Sequence, residues 1–491
     1  MGRLCGRHLA PRRSGGDRVI AKTMPQKLAL VGSTLGVPEP TDSVASLAMA
    51  LPLPSQDVAY LLLAVILERI PKPAEVVSAN REWRLDGASS LLSRLVRKAP
   101  RRRRFGQGIR VSSGMLVDVH DTARQPFTTG IQRVVRSTLP ILARSHDLEL
   151  IAWTEHYASI RSVTPGEASW ALGGGTGVRS PRAPELIVPF RATYLLPEIA
   201  VNRRRATAMH SIAEFSGSKT IAIGHDCIAV TTAETTGPGM PAGFSRYLAA
   251  LAHFNAVLPT SEAARVEFAG WKAMLEGAGI GGPALDVVGL PVSKSVEVTA
   301  ERVERTRAEL KLGNNPVVLA VGSHEPRKNH LVLLHACELA WRRGAQFTLV
   351  MVGGNAWNAE EFRRVVKESR MRGRRVVTLT AASDQTVTSL YRIARFSVFP
   401  SLNEGFGLPI VESIAQGTPV VTSNFGSMRE LAEGVGGVLI DPRDEHALSD
   451  VIVTLLTDDE LLASLGERTA GLRHRGWNEY AQDLSAAIAR N

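Results

Sequence analysis

The sequence predicts an α/β protein with two Rossmann-like units, each built on a parallel sheet. Short apolar runs rich in β-branched residues alternate with helical patterns, and this alternation occurs twice along the chain. A charged helical stretch from Pro291 to about Lys311 separates the two series. Because such crossovers place strands in parallel, we expect ligands at the carboxyl ends of the strands.

Residues 111–292 are predicted to form the first unit, with a helix from about Ile131 to Arg144. The stretch 161–192 contains Gly173-Gly-Gly175 and several prolines, and no pattern orders it. The strands expected in this unit are Met115–Val119, Leu148–Trp153, Thr193–Leu196, Thr220–Ile223, Ala256–Pro259 and Leu285–Val288.

Residues 293–312 are predicted to be a connector, and residues 313–470 the second unit. Residues 471–491 are predicted to form a final helix. The strands expected in the second unit are Val317–Val321, Phe347–Val352, Val376–Leu379, Phe396–Phe399, Val420–Thr422 and Val438–Ile440.

Residues 1–110 form a basic extension that we expect to be partly disordered and partly helical. They hold 19 Lys/Arg and 8 Asp/Glu, whereas the rest of the chain holds 39 of each, so the net charge of +11 lies entirely in the extension. The apolar run Val58–Leu67 is too short to span a bilayer and predicts a buried or interfacial helix. The chain start lacks the pattern of a secretory signal, and Met24 is an alternative start.

The basic cluster within residues 94–104 has two interpretations. Its members are Arg94, Arg97, Lys98 and Arg101–Arg104. It could contact an anionic membrane surface, or it could be a solvated linker; nucleic acid is not expected as a partner. Three widely spaced cysteines give neither a disulfide framework nor a zinc motif, so we expect a cytoplasmic protein, peripheral at most at the inner face of the plasma membrane.

The segment from Ser401 to Glu412 places two carboxylates around a glycine-rich turn between a strand and a helix. Gly405 and Gly407 let the backbone approach a ligand, and Pro409 suits the first turn of the following helix. The helix start offers N–H groups to an anion such as a diphosphate, and a carboxylate accepts paired hydrogen bonds from vicinal hydroxyls. This combination predicts a sugar-nucleotide site.

Two cations, Arg327 and Lys328, follow strand Val317–Val321 and precede a helix. Cations are disfavoured at a helix start, so their presence there indicates that an anion lies between them. When a diphosphate leaves a sugar it gains negative charge, which fixed cations stabilise. We therefore predict a phosphate clamp.

These segments resemble the donor site of retaining GT-B glycosyltransferases of family 4. The resemblance covers most of residues 114–485. Besides Ser401–Glu412, it includes the segments Val321–His330 and Ser383–Ala394. A further segment, Thr129-Gly130-Ile-Gln-Arg133, resembles the first loop and helix of bacterial polysaccharide mannosyl- and rhamnosyltransferases. It implies two Rossmann-like domains facing a cleft, with residues 111–292 as the acceptor domain and residues 313–470 as the donor domain. The final helix would cross back to the first domain.

The resemblance also implies residue roles. Glu404, Lys328, Arg327 and His225 would act on the donor sugar and its phosphates. Glu412 would bind the ribose. Further donor contacts would come from Gly405, Phe406, Gly407 and Leu408.

Three residues at strand ends or loops are expected on the acceptor side of the site. Gly130 would allow close approach of phosphate or acceptor, and Asp118 and Asp226 would orient an acceptor hydroxyl. The sequence contains no Asp-x-Asp, so no metal is expected, and charge neutralisation falls to the two cations and helix amides. With no obvious covalent nucleophile, front-face displacement is favoured.

The leading hypothesis is transfer of mannose, rhamnose or a similar hexose to a saccharide or lipid-linked saccharide in cell-surface polysaccharide synthesis. The donor would be a GDP-, dTDP- or UDP-sugar, and no bound cofactor is expected. Two alternatives stay open: a nucleotide-sugar epimerase of the same fold, and a non-catalytic binder tethered to membrane or nucleic acid by the extension.

Overall fold

A computed structural model describes residues 19–37, 40–100, 108–125, 129–174, 184–291, 296–354, 357, 359–469 and 475–491. The chain divides into two compact units. The first unit comprises Met1–Ala123, Ala143–Tyr194 and Ser211–Ser218. The second unit comprises Arg124–Leu142, Leu195–His210 and Lys219–Asn491.

The strands are short, and most coincide with apolar runs predicted from the sequence. Their bounds are β1 Ile109–Ser112, β2 Met115–Asp118, β3 Leu148–Trp153, β4 Ile160–Ser162, β5 Leu186–Pro189, β6 Thr193–Leu196, β7 Lys219–Gly224, β8 Ala256–Pro259, β9 Ala284–Leu285, β10 Val317–Val321, β11 Thr348–Val352, β12 Val376–Leu379, β13 Phe396–Phe399, β14 Val420–Ser423 and β15 Gly437–Ile440.

The α-helices alternate with these strands after an all-helical beginning. Their bounds are α1 Met24–Thr34, α2 Val44–Ala50, α3 Gln56–Leu67, α4 Pro73–Lys98, α5 Gly130–Ser145, α6 Pro165–Ala171, α7 Arg203–Phe215, α8 Ile228–Thr231, α9 Met240–Leu251, α10 Glu262–Gly277, α11 Ala300–Glu309, α12 His330–Arg342, α13 Glu360–Met371, α14 Asp384–Ile393, α15 Leu408–Ala415, α16 Gly426–Ala432, α17 Glu445–Thr457, α18 Asp459–Thr469 and α19 Trp477–Arg490. Single 3-10 turns cover Ala233–Thr235 and Pro326–Lys328.

The first unit departs from the expectation of purely parallel strands. β1 pairs with β5 and β2 with β3 in parallel, but β4 runs antiparallel to both β3 and β5. The expectation is therefore wrong for β4. The sequence pattern also missed β1, β4, β5 and α6, three of which lie in the glycine- and proline-rich stretch that it left unordered.

The described part of the extension packs as helices in the first unit. Every residue of α3 from Val58 to Leu67 is buried, in agreement with the predicted buried helix. At its end, Glu68 pairs with the buried Lys27 of α1 at 2.7 Å, and the Glu68 carbonyl accepts a hydrogen bond from Ser159 Oγ beside β4. None of the helices in the described ranges combines the length and hydropathy that a membrane span needs.

The predicted basic cluster is only partly within the described residues. Arg94 of α4 pairs with Glu82 at 2.5 Å across a kink at Gly87, whereas Arg97 and Lys98 are exposed in the last turn. Arg101–Arg104 lie outside the described residues.

The second unit contains a parallel sheet with a Rossmann strand order. Within the described residues, its order is β12-β11-β10-β13-β14-β15, and each pair is parallel. The first strand in sequence, β10, lies between β11 and β13, pairing Val318 with Phe396. The direction of winding therefore reverses between β10 and β13, where α/β sheets bind ligands at the strand carboxyl ends.

A hydrophobic core on one face of this sheet fixes its helices. Leu333 and Trp341 of α12 pack with strand residues Val318 and Leu349, and the Trp341 ring stacks on Phe347 at 4.7 Å. β7, β8 and β9 of the same unit are also parallel, although β9 is shorter than predicted.

The final helix α19 contacts the segment around these three strands. Lys219 Nζ, at the start of β7, donates to the Ile488 carbonyl at 3.1 Å, and Arg490 pairs with Asp286 at 2.5 Å. Arg475, just before α19, donates to the Gly289 carbonyl at 2.6 Å. Helix α19 is thereby tied to the segment that follows β9.

Candidate active site

The carboxyl ends of β10 and β13 carry the two loops that were predicted to bind a donor. After β10, a 3-10 turn over Pro326–Lys328 ends at Asn329, which has φ 57°. The Asn329 side chain donates to the Pro400 carbonyl at 3.2 Å and the Pro442 carbonyl at 2.5 Å. This residue therefore fixes the β10 loop against the end of β13.

Glu404 lies between the two predicted cations. Lys328 Nζ donates to Glu404 Oε1 at 2.6 Å, and Arg327 lies 2.6 Å from Glu404 Oε2. Arg327 also pairs with Glu325 at 2.7 Å, and Ser401 Oγ lies 2.6 Å from Glu404 Oε1. The structure thus brings together three residues that the sequence analysis assigned to one site.

The charges of this cluster depend on one another. Burial alone would raise the pKa of Glu404, but Arg327 and Lys328 lower it to about 2. Burial lowers the pKa of Lys328 despite the opposing effect of Glu404, whereas the carboxylates Glu404 and Glu325 raise that of Arg327. Glu404 is therefore ionised throughout the physiological range.

The turn after Glu404 requires glycine at two positions. A Cβ on Gly405 would lie 2.0 Å from the His225 carbonyl oxygen, closer than any side chain permits. Gly407 has φ 107° and precedes α15, which starts at Leu408 with Pro409 in its first turn. Phe406 is buried between them. The backbone of this turn therefore lies against the segment that follows β7.

Glu412 projects from α15 and has partners on two other helices. It forms an ion pair with Arg133 of α5, and its Oε2 lies 3.2 Å from the Tyr391 hydroxyl of α14. Burial raises the pKa of Glu412, although Arg133 opposes the increase. Glu412 raises the pKa of Arg133 against the effect of burial. The carboxylate depends on Arg133 to hold its charge.

His225 and Asp226 follow β7 and lie beside the Gly405 turn, where His225 is buried and Asp226 is half-buried. The His225 ring donates through Nε2 to the Pro197 carbonyl at 2.9 Å, and burial lowers the pKa of the ring, which favours the neutral form. Burial also raises the pKa of Asp226 to about 6, although Arg327 opposes the increase. Asp226 therefore keeps its proton to a higher pH than an ordinary aspartic acid does.

Gly130 and Asp118, both predicted on the acceptor side, lie in different surroundings. Gly130 begins α5, and a Cβ there would lie 3.9 Å from Leu408 Cδ1, an ordinary contact. Asp118 belongs to the first unit, where its Oδ2 accepts hydrogen bonds from Trp153 Nε1 at 2.6 Å and from the Tyr194 hydroxyl. The structure therefore places Gly130, but not Asp118, in the same unit as the other site residues.

Several residues that position the site were not singled out by the sequence analysis. Asn403 donates to Glu267 of α10 at 2.9 Å, and Ser261 Oγ donates to the Gly405 carbonyl at 2.6 Å. Glu430 of α16 accepts the backbone N–H groups of Glu262 and Ala263. Asn403 lies inside the predicted donor segment Ser401–Glu412. Its contact with Glu267 could not be predicted, because the neighbouring sequence does not indicate which distant residue it meets.

A separate cavity of about 470 Å³ lies along α13 beside edge strand β12. Its lining includes Phe362, Arg363, Lys367, Arg370 and Thr378. None of the described residues that line this cavity is acidic, so the cavity lacks carboxylates that could accept hydrogen bonds from sugar hydroxyls. The cluster around Glu404 is the better candidate for a sugar-nucleotide site.

The chain resembles solved structures over most of its length. HepE from Anabaena, in complex with UDP and glucose, aligns with a TM-score of 0.57 at 15% identity, covering 77% of this chain and 100% of that one. WaaG, a glycosyltransferase involved in lipopolysaccharide biosynthesis, aligns with a TM-score of 0.50 at 17% identity, covering 77% and 100%. At these identities the similarity concerns the fold alone.

The fold is GT-B. This agrees with the fold class predicted from the sequence. Residues 302–471 also match the family model described as glycosyl transferases group 1, so this GT-B chain carries a domain of that group. The match includes the β10 and β13 loops, and therefore the whole Glu404 cluster.

Curated relatives of this GT-B chain include two bacterial mannosyltransferases. The serotype-specific mannosyltransferase WbdA of Escherichia coli is 26% identical over 334 residues, which is 65% of this chain and 38% of the relative. The O-antigen chain mannosyltransferase B of Escherichia coli is 37% identical over 142 residues, or 29% of this chain and 37% of the relative. The chain therefore spans less than half the length of these relatives.

The raised pKa of Asp226 predicts a specific pH dependence of stability. Because the folded state keeps this proton up to about pH 6 and the unfolded chain loses it near pH 4, the stabilising contribution is present below pH 4 and is lost as pH rises through 6. Asp226→Asn removes this titration. We expect the variant to gain about 2 kcal/mol relative to the parent between pH 4 and pH 7, because a pKa difference of one corresponds to about 1.4 kcal/mol and part of the change falls below pH 4.

Thermal or chemical unfolding of both proteins at the two pH values measures this difference. Titrating groups that do not interact with Asp226 affect parent and variant alike and cancel in the comparison. A difference that is the same at pH 4 and pH 7 would show that the pKa of Asp226 is not raised in the folded protein.

Proposed function

We propose that this protein transfers a hexose from a nucleoside diphosphate sugar to a saccharide or lipid-linked saccharide acceptor, with retention of anomeric configuration. The hexose would be mannose, rhamnose or a similar sugar, and the product would enter a cell-surface polysaccharide. The fold and the group 1 domain agree with glycosyl transfer in general. The choice of sugar, the acceptor and the retention of configuration are proposed in addition to this general activity.

The observation that carries the proposal is the pair of cations on Glu404 at the reversal of strand order. Arg327 and Lys328 come from the β10 loop, and Glu404 comes from the β13 loop. Cations at this position suit a diphosphate, which gains charge as the glycosidic bond breaks. The carboxylate suits the hydroxyls of the sugar. One ligand class, the sugar nucleotide, carries both groups.

The remaining predicted residues take roles around this pair. Glu412 would accept the ribose hydroxyls, while the turn from Gly405 through Phe406 and Gly407 to Leu408 would bind phosphate through the start of α15. His225 would face the sugar as a neutral ring.

On the acceptor side, Gly130 would allow close approach and Asp226 would orient the attacking hydroxyl. For Asp118 to take the same role, its carboxylate would have to exchange its hydrogen bonds from Trp153 and Tyr194 for the acceptor hydroxyl. Residues 111–292 would then serve the acceptor, and residues 313–470 the donor.

The proposed reaction is a front-face displacement. The bond between the anomeric carbon and the diphosphate oxygen breaks while the acceptor oxygen bonds to the same face of that carbon. The acceptor proton passes to the departing phosphate oxygen. Lys328 and Arg327 would stabilise the charge on the leaving diphosphate, with no metal ion assigned to this task.

The relatives and the similar structures support two different donor sugars. WbdA and the O-antigen chain mannosyltransferase B are named for mannosyl transfer, which supports mannose. HepE was solved with UDP and with UDP-glucose, which supports a nucleoside diphosphate but a different sugar. We propose mannose first, with GDP-, UDP- and dTDP-sugars as the donor panel.

We also propose a cytoplasmic location with peripheral attachment to anionic lipid through residues 94–104. Of the described members of this cluster, Arg97 and Lys98 are exposed at the end of α4, while Arg94 is paired with Glu82. A basic group near an anionic surface contributes about 1 kcal/mol to binding.

Substitution of Lys328 tests the proposed function. We expect Lys328→Ala to lower kcat/KM for sugar transfer by at least about 100-fold, because a fixed cation that acts on the developing charge contributes that much or more. Glu404→Gln should also lower kcat/KM, because it replaces the carboxylate that would accept the sugar hydroxyls. Nucleoside diphosphate release with an acceptor saccharide gives the rate. Proton NMR of the product gives the anomeric configuration, which should match that of the donor.

Lys367→Ala is the matched control, because it removes a lysine from the exposed face of α13 in the same unit. It should retain parental activity. Activity within twofold of the parent in a folded Lys328→Ala protein would refute the assigned role. Conversion of the donor to an epimer without an acceptor would instead identify an epimerase.

Vesicle sedimentation tests the membrane proposal. The double substitution Arg97→Ser and Lys98→Ser should weaken binding to phosphatidylserine-containing vesicles by about tenfold or more, since each basic group contributes about 1 kcal/mol. The control pair Arg363→Ser and Lys367→Ser removes equal charge from α13. Equal sedimentation of parent and Arg97/Lys98 variant with these vesicles would contradict attachment through this cluster.

A further inference from the structure

Arg133 is a cation to which neither the sequence motifs nor the proposed function assigns a role. It lies in α5, one helical turn after Gly130, and forms an ion pair with Glu412. The two residues are 279 positions apart in the chain. The contact therefore joins α5 to the helix that begins at the proposed phosphate site.

The Glu412 carboxylate has a partner on each oxygen. Oε1 binds Arg133, and Oε2 lies 3.2 Å from the Tyr391 hydroxyl. Burial raises the pKa of Tyr391 well above its usual range, so this phenol stays protonated and donates. Two ribose hydroxyls need the same carboxylate oxygens as acceptors. A ribose that binds Glu412 must therefore compete with the guanidinium of Arg133.

Arg133 has the freedom and the location to take another partner. Its side chain is 40% exposed, compared with 13% for Glu412, so an incoming ligand reaches the arginine more readily than the carboxylate. Gly130, one turn earlier, is close enough to Leu408 that an added Cβ would touch its side chain. Leu408 is the first residue of α15, where the proposed function places the donor diphosphate.

Asp384 is the other acidic group that acts on this pair. It stands at the start of α14, and its charge raises the pKa of both Arg133 and Glu412. It adds to the attraction on Arg133 but does not replace the direct contact with Glu412. A guanidinium displaced from Glu412 loses that direct contact, and an anion that arrives together with the ribose can replace it.

We propose that Arg133 is a third phosphate-binding cation of the donor site, which Glu412 holds until the ribose displaces it. The inference rests on the proposed function, because it needs a donor that carries a ribose and a diphosphate. On binding, Glu412 exchanges Arg133 for the ribose hydroxyls, and Arg133 exchanges Glu412 for the diphosphate. Affinity for the diphosphate then depends on Arg133, and affinity for the nucleoside is reduced by it.

Calorimetric binding of two pairs of probes tests this exchange: UDP with uridine, and GDP with guanosine. In Arg133→Ala, we expect the nucleoside to bind at least as tightly as in the parent, because its competitor is gone. The nucleoside diphosphate should bind more weakly. The preference for diphosphate over nucleoside should fall by about tenfold, as expected for loss of one charge-assisted hydrogen-bonded contact.

Arg133→Lys keeps the charge without the planar fork, so it should retain part of the preference. Arg370→Ala, which removes an exposed arginine from α13, should leave the preference unchanged. Glu412→Gln should weaken binding of nucleoside and diphosphate alike and so leave their ratio near the parental value.

The outcomes separate this inference from the proposed function. An unchanged ratio in Arg133→Ala, with both affinities higher or both lower, would mean that Arg133 is only a structural partner of Glu412 and would overturn the inference. If the parent protein binds neither UDP nor GDP, the proposed function fails for ribonucleotide donors, and this inference fails with it.

Discussion

The structure of the candidate site depends on one carboxylate, Glu404, whose side chain is only 9% exposed. Glu404 could not keep its charge at this depth without fixed cations, and Lys328 and Arg327 both lie 2.6 Å from it. These cations come from a different loop, so the requirement holds the carboxyl ends of β10 and β13 together. The Rossmann strand order places this contact where a ligand is expected. The remaining site residues are arranged around it.

The same physical arrangement recurs at Glu412, which is paired with Arg133. In both pairs, the carboxylate suits hydroxyl groups and the cation suits phosphate. A sugar nucleotide carries hydroxyls on its sugar and ribose and negative charge on its diphosphate. A sugar nucleotide can therefore bind the carboxylate and the cation of both ion pairs at once. A simple sugar offers a partner only to the carboxylates, and a free phosphate only to the cations.

Much of this architecture could be predicted because strands and turns are specified by residues that are adjacent in the sequence. The runs Val317–Val321 and Phe396–Phe399 are strands with the predicted bounds, and the glycines at 405 and 407 mark a close approach and a left-handed residue. The antiparallel β4 was missed because a three-residue strand in a glycine- and proline-rich stretch has no clear periodicity. Arg133 with Glu412 and Asn403 with Glu267 could not be predicted, since each contact joins distant segments that only the tertiary fold brings together.

A crystal structure of the protein with a bound nucleoside diphosphate would show whether Lys328 and Arg327 bind phosphate. We expect diphosphate oxygens within hydrogen-bonding distance of Lys328 Nζ and the Arg327 guanidinium, at the carboxyl ends of β10 and β13. A nucleotide bound instead in the cavity along α13, with Lys328 and Arg327 still paired only with carboxylates, would contradict it.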